Sequence, residues 1–162
     1  MARAEYPMTR GVHLLHAQKI AFVPRLYPYE EHGGTRHAAV CLGVDEHIVI
    51  KTLVMETDPG KPFLVLMHGD REVSTKNLAR ALGVKSVTPC EIEKAQRVTG
   101  YMIGGISPFG TRRALPIYVE TTILDLDHLY INGGKRGFLV EITPAALQKA
   151  LAVKAVNVAI VT

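Results

Sequence analysis

The sequence predicts a mixed α+β fold, and three observations support that prediction. Short apolar runs rich in β-branched residues alternate along the chain with stretches that carry helix-capping signals. No internal repeat, low-complexity tract or long linker divides the 162 residues, so we expect one domain over residues 1–162. Apolar residues make up 48% and charged residues 21% of the chain, which is typical of a soluble globular protein.

Capping residues indicate where the helices begin and end. Thr9 can cap a first helix that runs to about residue 20, with Val12, Leu15 and Ala17 as candidate core positions. Pro144 follows a capping hydroxyl and suits the first position of a last helix. The remaining expected helices end near glycine or begin at serine, and they cover residues 37–42, 74–82 and 91–97.

Apolar stretches separated by turn residues indicate the strands. The turn Asp58-Pro59-Gly60 lies between two such stretches and predicts a β-hairpin. Pro24 indicates an edge strand or a bulge, because proline has no backbone N–H for a sheet. The expected strands cover residues 22–27, 48–55, 63–67, 86–88, 116–120, 129–132, 138–142 and 156–161.

Lys51 is the only ionisable residue in the apolar run from Ile48 to Met55. If this run is a strand, alternation places Lys51 on the same face as Val49 and Leu53. An ammonium group on a buried face is costly to desolvate unless a phosphate or a developing oxyanion compensates it. The alternative is a lysine on an edge strand, with its head group in water, that prevents aggregation.

Two glycine-rich segments each follow an apolar, strand-like stretch. Residues 99–110 contain Gly104-Gly105, and residues 130–137 contain Gly133-Gly134. Glycine allows backbone N–H groups to approach a ligand closely and adopts positive φ values easily. Neither spacing matches a phosphate-binding loop or a dinucleotide fingerprint, and each segment alone would indicate a turn or a bulge. Together with Lys51, the pair indicates a functional site.

Basic residues accompany both glycine segments. Arg112-Arg113 follow the first segment, and Lys135-Arg136 lie inside the second. The net charge of +4 is a mild basic excess that suits a polyanionic partner. The two pairs predict a rim that contacts phosphates, whereas a solvated surface would explain either pair alone.

The cysteines and histidines predict neither a disulfide framework nor a metal site. Cys41 and Cys90 lack metal-ligand spacing, and we expect both to be small buried apolar residues. His13 and His16 could share a helix face, but no third ligand is evident. We therefore expect no metal and no cofactor.

Membrane insertion and export have no support in the sequence. No apolar run approaches the roughly 20 residues that span a bilayer. Residues 1–7 lack the apolar centre of a signal peptide. We expect a cytoplasmic protein without a membrane partner.

These motifs together resemble the YbaK/EbsC family of aminoacyl-tRNA deacylases, and most closely its Cys-tRNA(Pro) deacylase branch. The matching pieces are residues 22–27, 49–53, 99–110 and 133–137, and the similarity runs in register from about residue 12 to about residue 159. The fold also resembles the editing insertion of bacterial prolyl-tRNA synthetases. The resemblance implies a curved, partly barrel-like mixed β-sheet flanked by helices.

The resemblance also implies chemistry without a protein nucleophile. The ester between an amino acid and tRNA is already activated, so orientation and oxyanion donors suffice. In the Cys-tRNA branch, the substrate's own thiol attacks the ester carbonyl and leaves as a cyclic thioester, which releases the tRNA. The sequence agrees with this chemistry, because it contains no Ser-His-Asp signature and no zinc motif.

The resemblance gives roles to the residues singled out above. Lys51 would be the charged anchor near the ester or a phosphate, while Gly104, Gly105 and Ile106 would present backbone N–H groups to the carbonyl oxygen. Tyr27 would contact the terminal nucleotide or simply pack at a strand end. The other expected substrate contacts are Thr52 through its backbone, Ser107 as a hydroxyl or only as a turn residue, Asn132, Gly133 and Gly134; the expected tRNA contacts are Arg112, Arg113, Lys135 and Arg136.

Two departures from the family pattern leave the amino-acid specificity open. Asn132 stands where the family often has serine, and Leu139 stands where it often has aspartate. Three functions therefore compete: trans-editing of Cys-tRNA(Pro), hydrolysis of Ala-tRNA or another small aminoacyl-tRNA, and tRNA or synthetase binding without turnover. The expected partners are aminoacyl-tRNA and prolyl-tRNA synthetase, with no DNA, and we expect a monomer.

Overall fold

A computed structural model of the protein describes residues 5–160. The helices within that range are α1 (Arg10–Ala17), α2 (Gly34–Leu42), α3 (Thr75–Leu82), α4 (Ile92–Thr99) and α5 (Pro144–Ala150), with short 3-10 helices at Glu46–Ile48 and Thr121–Asp125. The strands are β1 (Val23–Leu26), β2 (Val49–Thr57), β3 (Pro62–His68), β4 (Glu72–Val73), β5 (Val87–Pro89), β6 (Ile117–Glu120), β7 (Leu129–Lys135), β8 (Phe138–Ile142), β9 (Val153–Val156) and β10 (Ala159–Ile160).

A mixed main sheet organises these elements. Its strand order is β1-β8-β7-β2-β3-β6-β9, and β5 pairs with the far end of β2. The β2–β7, β3–β6 and β6–β9 pairs are parallel, and the other pairs are antiparallel. The predicted α+β class with a mixed sheet is confirmed, and within residues 5–160 this sheet does not close into a complete barrel.

Both faces of the sheet are covered, which explains the continuous apolar run in β3. Leu66 packs with α1 and α5 on one face, whereas Phe63, Val65 and Met67 pack with α3 on the other. A strand buried on both faces has no reason to alternate apolar and polar residues. A third cluster places α2 over the β2, β7 and β8 strands near Val49.

The helix predictions are largely confirmed at their caps. Thr9, Ser74 and Thr143 each accept a hydrogen bond from a backbone N–H in the first turn of the helix that follows. Helix α1 ends at Ala17 rather than near residue 20, because the chain turns at Lys19, which has a φ of +56°. Val12 and Leu15 are buried as expected, but Ala17 is exposed, so its predicted core position is wrong. Helix α2 begins at residue 34, three residues before its predicted start.

The strand predictions are confirmed for the β2–β3 hairpin and for the edge position of Pro24. The single strand predicted over residues 156–161 is wrong: β9 ends at Val156, β10 begins at Ala159, and residue 161 lies outside the described residues. The chain turns between them because the buried Glu120 carboxylate accepts hydrogen bonds from the N–H groups of Val158 (2.7 Å) and Ala159 (3.0 Å).

Two further expectations concern single side chains and the membrane. Cys41 is exposed on α2, and its Sγ lies 3.5 Å from Nε2 of His37, so its predicted burial is wrong. Cys90 is half-buried. Within residues 5–160, every helix is too short or too polar to cross a bilayer.

Candidate active site

A cavity of about 550 Å³ lies beside the first half of β2. Its walls come from β2, from residues 27–38, from the loop at residues 103–106, and from the β7–β8 hairpin. Residues 27–38 include the start of α2, which packs over the sheet here. The cavity therefore brings together four separate segments of the chain.

Strand β2 has an open edge where the cavity forms. It pairs with β7 only at Val49 and Ile50, and with β5 only from Met55 to Thr57. Between them, the C=O group of Val54 accepts a hydrogen bond from the Cys90 N–H (3.0 Å), so it faces this edge. Because backbone direction alternates along a strand, the N–H and C=O groups of Thr52 face the same edge.

Lys51 lines the cavity as a half-buried cation. Within residues 5–160 its ammonium group forms no ion pair and no side-chain hydrogen bond. Its strand lies inside the sheet and pairs with β3 along most of its length, so the alternative of an edge-strand lysine is wrong. The cavity thus holds a positive charge that a bound anion could neutralise.

Thr52 also lines the cavity, although it lies on the opposite face of β2 from Lys51. Its backbone N–H and C=O groups face the open strand edge, where the cavity forms. The hydroxyl oxygen of Thr52 is buried and has no hydrogen-bond partner among the described residues. Leaving such a group unpaired costs about 1–3 kcal/mol of folding free energy. Because this oxygen is enclosed, Thr52 presents its backbone N–H and C=O groups to the cavity rather than its hydroxyl.

The first glycine segment forms one wall through Gly104 and Ile106. Within the described part of the chain, the N–H groups of these two residues have no acceptor. Gly104 has a φ of +90°, and a Cβ atom there would lie 2.5 Å from Oη of Tyr29. Both the backbone conformation and the close tyrosine therefore favour glycine at this position.

Gly105 differs from its neighbours, and the donor role expected for its N–H is wrong in this structure. That N–H donates to the C=O of Met102 (2.8 Å), so a turn already uses it. Gly105 is buried, and a Cβ atom there would lie 2.7 Å from the backbone nitrogen of Arg136. Its small size allows the two glycine segments to pack together.

The geometry does not support direct substrate contacts for Ser107, Gly133 and Gly134, because none of them lines the cavity. The Ser107 hydroxyl is fully buried and accepts a hydrogen bond from the Phe109 N–H (3.1 Å), which is the turn role left open above. A Cβ atom on Gly133 would lie 2.8 Å from Cδ2 of Phe138. Gly134 has a φ of +114° and lies against the Tyr101 ring. These residues support the wall from behind.

Asn132 lines the cavity and joins the two glycine segments. Its Oδ1 atom accepts hydrogen bonds from the N–H groups of Gly134 (2.6 Å) and Lys135 (3.1 Å). Its Nδ2 atom donates to the C=O of Gly104 (3.3 Å). Its partner across the β7–β8 pair is Leu139, so the two departures from the family pattern lie side by side. Asn132 thus holds the two glycine segments together and helps to fix the shape of the cavity.

Tyr27 and Arg136 form the boundary of the cavity on the side of the β7–β8 turn. Burial, with Tyr29 nearby, raises the pKa of Tyr27 above its ordinary value. Nε of Arg136 donates to the C=O of Ile103 (2.8 Å), and its guanidinium lies 5.2 Å from the Tyr29 ring centroid, a cation–π contact. Arg112 and Arg113 are exposed and do not line the cavity, whereas Lys135 lines a groove beside it.

The family model of the aminoacyl-tRNA editing domain matches residues 32–150, which include the open edge of β2 and both glycine segments. The chain belongs to the aminoacyl-tRNA editing domain family. The activity of this domain is accordingly aminoacyl-tRNA editing, the removal of an amino acid from tRNA.

Individual relatives agree with the family. The Enterococcus faecalis protein named "Putative Cys-tRNA(Pro)/Cys-tRNA(Cys) deacylase EbsC" is 27% identical over 140 residues, which cover 86% of this chain and 85% of that protein. A proline–tRNA ligase of Brachyspira hyodysenteriae is 28% identical over 86 residues, covering 53% of this chain and 15% of the ligase. A crystal structure of "a putative trans-editing enzyme for prolyl tRNA synthetase" has a TM-score of 0.82 at 22% identity and covers 92% of this chain and 94% of its own. That likeness supports the fold.

The editing domain has cavity residues that the sequence did not reveal. Tyr29, Glu30 and His37 all line the cavity, although the sequence between them indicated only a polar loop and a helix start. Nδ1 of His37 lies 3.1 Å from the Glu30 carboxylate, and Nε2 lies 2.7 Å from the Pro28 C=O. The sequence signal for this part of the site was limited to Tyr29 and His37, which flank Gly33-Gly34.

Proposed function

We propose that this editing domain is a trans-editing deacylase that removes cysteine from mischarged Cys-tRNA(Pro). The observation that carries the proposal is a cavity containing an unpaired lysine and free backbone N–H groups. No serine or cysteine side chain among the described residues lines it. Such a site can orient and stabilise an activated ester, and its lining includes neither serine nor cysteine, the commonest acyl-transfer nucleophiles.

The reaction that fits this site uses the thiol of the substrate. The sulfur attacks the ester carbonyl carbon and forms a C–S bond, and the C–O bond to the ribose breaks. The thiol proton ends on the ribose oxygen, so the products are a cyclic thioester and tRNA with a free terminal hydroxyl. Lys51 and the N–H groups of Gly104 and Ile106 would stabilise the negative charge that develops on the carbonyl oxygen.

The lining of the cavity supports a small amino-acid side chain. Ala38, Val49 and Leu139 form a buried apolar wall below the start of α2. Leucine at position 139 offers no carboxylate to a polar side chain, and a thiol or a methyl group suits such a wall. The name of the Enterococcus faecalis relative points to cysteine in the same way.

An alternative substrate fits the same wall. A methyl group is as small and apolar as a thiol, so hydrolysis of Ala-tRNA(Pro), or of another small aminoacyl-tRNA, is the second candidate function. That reaction requires a water molecule as the nucleophile, because alanine has no thiol. A tRNA- or synthetase-binding module without turnover is the remaining alternative.

Selection of the tRNA is expected to depend on more than this domain. Its net charge is only +4, and few phosphates would be neutralised, so binding to free tRNA should be weak with a shallow salt dependence. We propose that a monomeric domain acts in the cytoplasm on aminoacyl-tRNA, with prolyl-tRNA synthetase as the partner that supplies tRNA(Pro).

A panel of charged tRNAs tests the proposal. Release of the amino acid should be fast with Cys-tRNA(Pro) and slow with Pro-tRNA(Pro), and S-methylation of the cysteine should abolish it because the nucleophile is blocked. Equal rates with the S-methylated substrate would instead favour hydrolysis, and preference for Ala-tRNA(Pro) would favour the second candidate. If no amino acid is released from any of these substrates, the remaining function is a binding module without turnover.

Lys51→Ala tests the role of the lysine. We expect kcat/KM for Cys-tRNA(Pro) to fall by roughly 10²–10³-fold, as when one oxyanion donor is removed. The melting temperature should change little, because the ammonium group has no partner to lose. Lys85→Ala, on the exposed surface, is the matched control. Near-normal turnover by a folded Lys51→Ala protein would contradict the assignment.

A further inference from the structure

An open groove of about 680 Å³ lies beside the active-site cavity, and Tyr27 and Arg136 line both. The two spaces are therefore neighbours, with these two residues between them. One wall of the groove is the segment at residues 5–7, another is the end of β1 with Pro28, and the third is the β7–β8 turn at residues 135–137.

The chemistry of this groove is apolar and aromatic with a cationic side. Leu26 is 54% exposed within it, beside Pro7 and Pro28, and Tyr6 lines it as well. An exposed leucine beside two prolines gives apolar contact area to a planar group. The rings of Tyr6 and Tyr27, which also line the groove, are of the aromatic type on which nucleic-acid bases stack.

The cations of the groove are available to an anion. Within residues 5–160, Lys135 forms no ion pair, and Arg136 uses only Nε in a hydrogen bond to the protein. Glu5 is the one carboxylate among the described groove residues, so the two cations leave a positive excess. The guanidinium of Arg136 is positioned by Tyr29 and Ile103 at the boundary between groove and cavity.

We propose that this groove binds the single-stranded ribonucleotide that precedes the esterified terminal adenosine. Its base would lie on the surface formed by Leu26 and the prolines, and Lys135 with Arg136 would bind the phosphate that joins the two nucleotides. The inference rests on the proposed function, because that function places the terminal adenosine and its ester in the adjoining cavity. It adds a subsite and residues outside the reacting centre.

The test compares two esters that differ only by the proposed occupant. One is the cysteine ester of the trinucleotide CCA, and the other is the cysteine ester of adenosine, which is too short to reach the groove. Leu26→Glu should raise KM for the trinucleotide ester roughly tenfold, as expected for loss of one stacked base and added repulsion of the phosphate. KM for the adenosine ester is the internal reference.

Val23→Glu is the matched control, because Val23 is 46% exposed on the same edge strand and does not line the groove. It should leave the ratio of the two KM values unchanged. A KM change in Leu26→Glu that is the same for both esters, no change at all, or an equal effect of Val23→Glu would overturn the proposal. Lys135→Ala should act in the same direction as Leu26→Glu.

A binding measurement separates this inference from the proposed function. Uncharged CCA should bind the full chain more tightly than adenosine 5′-monophosphate, and Leu26→Glu should remove that difference. If the protein releases cysteine from neither ester but shows this difference, the proposed function fails and the groove stands. If it deacylates both esters but binds the two uncharged probes equally, the groove fails alone.

Discussion

The two glycine segments have similar compositions but different surroundings. In residues 99–110, Gly104 faces the cavity and meets the exposed Tyr29 side chain. In residues 130–137, Gly133 meets the buried Phe138 ring and Gly134 meets the Tyr101 ring. Gly104 thus lies in the wall of the cavity, whereas Gly133 and Gly134 pack behind it.

The difference shows that a glycine pair can indicate a close contact, but it does not indicate whether the contacting group is a ligand or a side chain of the core. From the sequence, each pair indicated either a turn or a close approach of another group, because glycine tolerates both. In one segment the neighbouring space is open to a ligand, and in the other it is filled by aromatic rings of the core. Substitutions that add one methyl group can therefore separate a binding role from a packing role.

Gly133→Ala should produce the largest loss of stability. Its added methyl group would meet the Phe138 ring, which is fully buried and cannot move aside, so we expect the free energy of unfolding to fall by about 3 kcal/mol. Denaturant unfolding measures this change. Gly83→Ala is the control: it has a φ of +69° with nothing within 4 Å, so it reports backbone strain alone. If Gly133→Ala loses no more stability than Gly83→Ala, Gly133 has no packing role.

Alkaline pH should weaken the first glycine segment, against which the second one packs. Burial raises the pKa of Tyr101 to about 12, and its hydroxyl donates to the C=O of Phe109. Because the folded-state pKa lies above the unfolded value near 10, this group contributes stability below pH 10 and loses it as the pH rises towards 12. The loss should be on the order of 2 kcal/mol.

Unfolding curves between pH 9 and pH 12 measure this loss. Tyr101→Phe is the comparison, because it cannot ionise and should be the less sensitive of the two proteins over that range. Parallel pH profiles for the two proteins would show that the neutral Tyr101 hydroxyl does not stabilise the first segment.

Gly104→Ala should have the smallest effect on stability and a clear effect on activity. The added methyl group would displace the exposed Tyr29 side chain, and the positive φ would be strained by about 1 kcal/mol. We expect deacylation of Cys-tRNA(Pro) to fall roughly tenfold or more, because the N–H groups of residues 104 and 106 would shift.

Rates and melting temperatures for Gly104→Ala and Gly133→Ala together decide the comparison. Gly104 should affect the rate more than stability, and Gly133 should show the reverse. If the ratio of rate loss to stability loss is the same in Gly104→Ala and Gly133→Ala, the two segments do not differ in function.

The parts of the fold that were predicted from the sequence depend on local signals. Thr9, Ser74 and Thr143 each mark a helix start because their hydroxyls bond to N–H groups within three residues. The β2–β3 hairpin follows from a turn and two adjacent apolar runs. Predicted strand boundaries were wrong where a residue distant in sequence determines them, as Glu120 does for the turn between β9 and β10.

The candidate site was predicted less completely for the same reason. Lys51, Gly104, Ile106, Asn132 and Tyr27 were identified and do line one cavity. The open edge of β2 was not predicted, because it depends on where β7 and β5 stop pairing with it. The contribution of residues 28–37 was also missed, since no local pattern shows that this loop folds over the strand.

The open edge of β2 also affects how the backbone exchanges hydrogen with water. Amides in the middle of a buried strand normally exchange only when the sheet opens, whereas the amide of Thr52 faces a cavity. Its neighbours Lys51 and Leu53 direct their amides towards β3 and are protected by the sheet. Exchange at Thr52 should therefore be fast in the free protein and slow when the cavity is occupied. One amide in the most protected strand thereby reports occupancy without any label on the substrate.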